Sequence, residues 1–255
     1  MKRSVIIVVA VLMALPAMVL AEEDPCKDAS LKKLREHILI PQAGIVSKRP
    51  VSGMCEVILD MQGRYVAVYT GPDYVIAGQM FKSRVAITRT EIERLKATRF
   101  VSLRDEVDKC VAMTLKPANS EVSTTVYMIT DPLCPYCQKS EAKILEFANK
   151  YGAEFKLILY SVHPPVGREK AIEAVCRGLS AKEYLDGAWK KDEKTQECAK
   201  GKALIERTEQ LARKLGIRGV PMFFFSDGTL VQGANFSALE KALSFRMRSK
   251  VSYAK

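Results

Sequence analysis

Thr124-Thr125-Val126-Tyr127-Met128-Ile129-Thr130, running on into Asp131-Pro132-Leu133-Cys134-Pro135-Tyr136-Cys137, is the stretch that decides the fold. Its first half is rich in β-branched and aromatic residues and reads as a strand. The residues from Cys134 to about Asn149 read as a helix. Cysteines at i and i+3 lie one turn apart on a helix, which suits the Cα separation of about 4.4–6.8 Å that a disulfide needs. A helix N-terminus carries unpaired N–H groups and a partial positive charge, and both stabilise a thiolate. Cys134 is therefore expected to be the attacking nucleophile, with Cys137 as the resolving thiol. Pro135 fits near the helix start, where its missing N–H costs little. A CxxC can also be half of a zinc site, which needs two further ligands. There is no second CxxC, and the only histidines are His37 and His163. No metal centre is expected.

Downstream, the pattern continues as α/β. A strand from Glu154 to Tyr160 is followed by helices near 167–178, 180–190 and 201–215. A strand from Met222 to Ser226 turns through Asp227-Gly228 into Thr229 to Gln232, and a last helix runs from Ser237 to Arg248. Strand, helix, strand, helical insertion, hairpin and helix is the order of a thioredoxin fold with an inserted helical subdomain. A second signature supports it: Gly219-Val220-Pro221-Met222, 84 residues after Cys137 and just before Phe223-Phe224-Phe225. Thioredoxin-like proteins place a cis-proline at this point, facing the CxxC, and an X–Pro bond makes the cis form accessible. Val220 would then offer its backbone to an extended substrate strand. Phe223 to Phe225 and Trp189 read as core. His37 reads as a surface residue and His163 as an exposed loop residue, with tuning of the thiols as its alternative.

Upstream, residues 28–40 carry Leu31, Leu34 and Ile38 at helical spacing, and Pro41 ends that helix. Residues 45–88 switch to short strands. Val57-Ile58-Leu59 and Tyr65 to Tyr69 flank the turn Asp60-Met61-Gln62-Gly63-Arg64, and another strand spans Tyr74 to Ala77. Thr90 and Glu93 fit a capping box. Glu91 to Asp108, with Ile92, Leu95, Phe100, Leu103 and Val107, reads as a linker helix, and Pro117-Ala118-Asn119-Ser120 as the loop after it.

The N-terminus has the order of a secretory signal peptide: Lys2-Arg3, an apolar run from Val5 to Leu15, Pro16, and small residues before a cleavage point after Ala21. Glu22-Glu23-Asp24 follow at once, and the run is marginal for a membrane anchor, which needs about 20 apolar residues. Export and a periplasmic location are expected, with no membrane association after cleavage. The formal net charge is +11, or +9 without residues 1–21, whose only charges are two positive ones. Cations are interleaved with acids along the chain, so a solvated basic surface is expected rather than a nucleic-acid site. Seven cysteines follow the cleavage point. In an oxidising compartment an odd number leaves at least one thiol unpaired or paired between chains.

Nearly the whole mature chain resembles the bacterial periplasmic DsbC/DsbG family of disulfide isomerases. The resemblance is carried by Pro50 to Met54 with the hairpin after it, Gly78-Gln79-Met80-Phe81, Thr130 to Cys137, the pair Cys176 and Cys198, and Asp227 to Gly233. It implies an α+β molecule. A small cystatin-like dimerisation domain (22–89) would follow the signal peptide (1–21). A linker helix and loop (90–120) and a thioredoxin-like catalytic domain (121–255) would complete it. It implies a V-shaped homodimer whose apolar cleft holds misfolded exported proteins. Cys134 and Cys137 would be catalytic, with Val220, Pro221 and Tyr136 touching substrate and no cofactor. A DsbD-type membrane reductase would keep the thiols reduced. Cys176–Cys198 would be a structural disulfide, contributing about 3 kcal/mol for a loop of this size.

Two departures bear on activity. The isomerases resembled usually carry threonine before the cis-proline, whereas this chain has Val220, which is more typical of oxidising DsbA-like proteins. The pair Pro135-Tyr136 is DsbG-like, and that activity extends to oxidised single thiols. Reduction of sulfenylated cysteines and oxidation are the alternatives to isomerisation. A non-catalytic holdase and a copper-handling thiol protein are the readings outside this enzyme class. Cys26, Cys55 and Cys110 allow three pairings, of which Cys26–Cys55 is the first choice.

Overall fold

The computed structural model describes residues 23–118, 121–190 and 197–253. The expected signal peptide lies outside the described residues, as do Asn119 and Ser120 of the expected loop. Among the described residues no helix is long and apolar enough to cross a membrane.

The N-terminal part is one helix against an antiparallel meander. Helix α1 (Leu31–His37) starts at Ser30, whose hydroxyl accepts from the Lys33 N–H, a side-chain cap of the usual kind. It is shorter than 28–40. Strands β1 (Gly44–Val51), β2 (Met54–Met61), β3 (Arg64–Thr70) and β4 (Val75–Ala77) pair in sequence order. Alternation on the central strand β2 serves two cores. Cys55, Val57 and Leu59 pack with Leu34 of α1, while Ile58 packs with Ala67 and Tyr69 on the opposite face. A disulfide between Cys26 and Cys55 ties the incoming chain to this sheet.

The β2–β3 turn is Gln62-Gly63, both at positive φ (54° and 85°), which suits a two-residue hairpin turn. Gly63 lies so close to Gly216 and the Arg213 carbonyl that a Cβ there would collide with backbone. This turn tip docks on the C-terminal part of the chain, and Asp60 adds an ion pair to Arg99 at 2.6 Å.

A small hairpin, β5 (Phe81–Lys82) and β6 (Val85–Ala86), runs straight into helix α2 (Ile87–Ser102). The capping box at Thr90 does not form. The helix has already begun three residues earlier, its N-cap Ala86 has no side-chain bond, and the Thr90 hydroxyl donates to the Ala86 carbonyl. Nor is the linker one helix to Asp108. It breaks at Leu103, and a short α3 (Arg104–Asp108) follows. Ile92 and Leu95 of α2 pack on the N-terminal sheet. Phe100, five residues beyond Leu95 and so on another face of the helix, is buried in the C-terminal core and stacks on Phe224 at 4.4 Å between ring centroids.

Strand β7 (Met113–Leu115), in a stretch read as linker, pairs antiparallel with β9 (Ala153–Leu159) at the sheet edge. Three residues are too few for a periodic signal. The C-terminal sheet also contains β8 (Thr124–Thr130), β10 (Met222–Phe225) and β11 (Leu230–Gln232), in the order β11-β10-β8-β9-β7. Helix α4 (Pro135–Tyr151) connects the parallel pair β8 and β9. Helices α5 (Val166–Cys176), α6 (Ala181–Leu185) and α7 (Ala199–Leu215) form the insertion, and α8 (Phe236–Tyr253) ends the described chain. Val126, Met128, Phe223 and Phe225 face one core with α4 and α8; Tyr127, Ile129 and Phe224 face another with α7 and Phe100. Cys176 and Cys198 form a disulfide between the end of α5 and the start of α7. Cys110 is a free, buried thiol. Trp189 is buried in the first of these cores, and His37 is exposed.

Candidate active site

Strand β8 delivers the chain to Asp131-Pro132-Leu133, and Cys134 is the N-cap of α4 with an extended backbone (φ −79°, ψ 119°). Pro135 occupies the first helical turn. The loop is closed by its own backbone: the Cys134 N–H donates to the Asp131 carbonyl at 3.1 Å. The amide of Gln138 donates to the Pro132 carbonyl at 2.8 Å. Cys134 is 5% exposed and Cys137 fully buried, while Tyr136 stands out at 61%. Cys134 and Cys137 are both free thiols.

Antiparallel pairing sets what faces them. Ile129 pairs with Met222, so the residues before β10 meet the end of β8. The Val220–Pro221 bond is cis, and the Cys134 Sγ lies 3.8 Å from the Val220 carbonyl oxygen. A second cis bond, Pro164–Pro165, follows β9 and had no separate signal in the sequence.

Three polar residues beneath the thiols were not assigned roles from the sequence. Asp131 is fully buried. Its backbone N–H donates to Cys137 Sγ at 3.4 Å. Its carboxylate accepts from the N–H groups of Leu133 (2.9 Å) and Val162 (2.7 Å) and from the Ser161 hydroxyl. His163 completes the set with Nδ1 2.8 Å from the Asp131 carboxylate. His163 is exposed but is not a free loop residue: it reaches the motif through Asp131.

Thr130 and Glu141 form the second buried group. The Thr130 hydroxyl donates to Glu141 at 2.6 Å, and the Tyr184 hydroxyl donates to the same oxygen at 3.2 Å. Burial raises the Glu141 carboxyl from 4.5 to about 7, against the opposing pull of these two donors. Burial also pushes the Cys137 thiol far above its ordinary range, opposed by the Asp131 N–H and the Thr130 hydroxyl. The same cause holds the Tyr184 phenol high, with Glu141 adding to it. Glu141 had a signal in the sequence. It stands four residues after Cys137 and three before Ile144, so a charged residue lies on the apolar stripe of α4.

The sequence profile of the thioredoxin-like domain matches residues 111–245. A relative from Bordetella avium (strain 197N), called probable thiol:disulfide interchange protein DsbC, is 28% identical over 216 residues. That match covers 82% of this chain and 72% of the relative. Its counterpart in Bordetella parapertussis is 27% identical over 58% of this chain and 51% of its own length. Two solved structures share the fold at 16% identity. A linker-deletion variant of Proteus mirabilis ScsC has a TM-score of 0.51, covering 64% of this chain and 87% of that one. The thiol-disulfide exchange protein alpha-DsbA2 of Wolbachia pipientis has a TM-score of 0.50, covering 60% and 97%. The strand–CxxC–helix site facing a cis-proline, the matched profile and these relatives agree: the chain belongs to the thioredoxin-like domain family and is a DsbC/DsbG-like thiol–disulfide oxidoreductase.

Proposed function

We propose that the protein reduces and isomerises incorrect disulfides in exported proteins, with Cys134 as nucleophile and Cys137 as resolving thiol. One observation carries this reading: the sulfur of Cys134, at the start of α4, lies 3.8 Å from the Val220 carbonyl on the cis-proline loop. A substrate strand lying along Val220 and Pro221 would present its disulfide to that sulfur, with the exposed ring of Tyr136 beside it. The Cys134 thiolate attacks one substrate sulfur, and the other leaves as a thiolate. The resulting mixed disulfide has two exits. A second substrate thiol attacks the substrate sulfur, giving a rearranged disulfide and restoring Cys134. Alternatively Cys137 attacks Cys134, forming Cys134–Cys137 and releasing the substrate fully reduced, a two-electron transfer.

Cys137 stays protonated until that second exit, because burial disfavours its thiolate. Its proton has a route outward. The Thr130 hydroxyl touches both Cys137 and Glu141, and a carboxyl titrating near 7 accepts and returns protons at neutral pH.

The mature protein is read as a periplasmic homodimer, kept reduced by a DsbD-type membrane reductase. A cystatin-like domain at 22–89 would supply the dimer contact. Support comes from exposed apolar residues there: Ile76 on the edge strand β4, and Phe81 and Val85 on the β5–β6 hairpin, each more than half exposed. Cys134→Ala should abolish refolding of a scrambled disulfide-rich protein, and Cys137→Ala should accumulate the mixed disulfide on non-reducing gels. Full activity in cells of the Cys134→Ala, Cys137→Ala double variant would replace this reading with a holdase.

A further inference from the structure

A groove of about 890 Å³ opens beside the cis-proline loop, between α2 and the C-terminal sheet. Its floor includes Val220, Pro221 and the edge strand β11. Its walls carry Arg64 at the start of β3, Arg89 and Lys96 two turns apart on α2, and Arg218 just before the loop. Glu93 is the single acid lining it. Among the described residues none of the four cations has an ion-pair partner, whereas Arg94 and Arg99 on the same helix are both paired with carboxylates. Four cations against one acid therefore face a concave surface that ends at the carbonyl next to the Cys134 sulfur.

We propose that this groove binds an extended acidic segment of the polypeptide whose disulfide Cys134 opens. The inference rests on the oxidoreductase reading above and adds its substrate class. Strand β11 is the outermost strand of its sheet, so its outer edge offers unpaired backbone groups to an extended chain. The four cations line the groove that this chain would occupy. Cations in a groove with low-dielectric walls focus their field there. At physiological salt charges more than about 8 Å apart are largely screened, so the groove cations dominate over the overall positive charge of the protein.

The test uses reduced mature protein and three symmetric peptide disulfides. Each peptide has a central cysteine flanked on both sides by glutamate, by glutamine or by lysine. Second-order rates of peptide reduction are measured by acid quench and chromatography. Each is divided by the rate of the same peptide with 2-mercaptoethanol, which removes the peptide's own reactivity. The acidic peptide should exceed the neutral one about tenfold at physiological salt, the low end of electrostatic steering, with the basic peptide slowest. The acidic-to-neutral ratio should fall towards one in Arg64→Gln, Arg89→Gln, Lys96→Gln. It should persist in Lys27→Gln, Lys32→Gln, Arg35→Gln, which removes the same charge at the exposed outer end of the N-terminal part. Equal normalised rates for all three peptides overturn the acidic preference and leave the oxidoreductase reading standing. So does a ratio lost equally in both triple variants, because net charge then explains it. Failure to reduce any of the peptides overturns both.

Discussion

Glu141 shows how one residue's environment sets its chemistry. The carboxyl sits under α4 at 5% exposure, held by Thr130 and Tyr184. Its folded value, about 7, lies above its ordinary 4.5. Between those values the folded chain binds the proton more tightly than the unfolded one. The Glu141 contribution to stability is therefore fullest below about pH 4.5 and is lost as pH rises through 7. Ionising Glu141 costs about 3 kcal/mol on this basis. Glu141→Gln keeps a carbonyl oxygen for both donors and cannot ionise. It should raise stability at pH 8 by up to about 3 kcal/mol, and change it little at pH 4.5. Urea unfolding at the two pH values checks this. The same variant removes the proton acceptor beside Thr130, so resolution of the mixed disulfide by Cys137 should slow. A pH-independent gain in stability would show that Glu141 is not ionising there.

At the scale of elements, α2 joins the two parts of the chain. Its first half packs Ile92 and Leu95 on the N-terminal sheet, and its last turn puts Phe100 beneath the C-terminal sheet. Phe100 is fully buried, stacked on Phe224, edge-on to Tyr127 and covered by the Arg104 guanidinium. Removing a ring from such a site costs about 3–5 kcal/mol. Phe100→Ala should lower global stability by that amount in denaturant titrations. It should also loosen the α2 wall of the groove beside the cis-proline loop. The sequence supported α2 as a linker through its sparse apolar set, but its start was misread. Thr90 and Glu93 have the spacing of a capping box, yet the chain arrives from the β5–β6 hairpin already turning. A tertiary contact thus overrode a local preference.

At the scale of the whole molecule, exposed apolar surface is concentrated on the edge strands of the N-terminal part. Ile76, Phe81 and Val85 expose apolar surface on short strands, each with one open edge, a feature that partner strands or protomers usually cover. The proposed homodimer predicts that light scattering of the mature protein gives twice the protomer mass. Ile76→Glu, Phe81→Glu should give a monomer that still reduces a small peptide disulfide but loses most of its action on scrambled proteins. A wild-type monomer would remove the dimeric isomerase reading and favour an oxidase, with which Val220 is compatible.

The CxxC at a strand-to-helix junction, the cis-proline before a phenylalanine strand and the α/β order were all legible in the sequence, because each depends on neighbours along the chain. Strand alternation, helix capping and turn residues act over a few positions, and the motif is written in such positions. Tertiary structure alone decided the rest. It put the Asp131 carboxylate against His163, closed Thr130 and Glu141 under Cys137, and set the Gly63 turn against Gly216. It also gathered Arg64, Arg89, Lys96 and Arg218 around one groove. Those partners are brought together by sheet register and helix packing over tens to more than a hundred residues. No local period encodes which buried polar group will meet which, or which cations will share a wall.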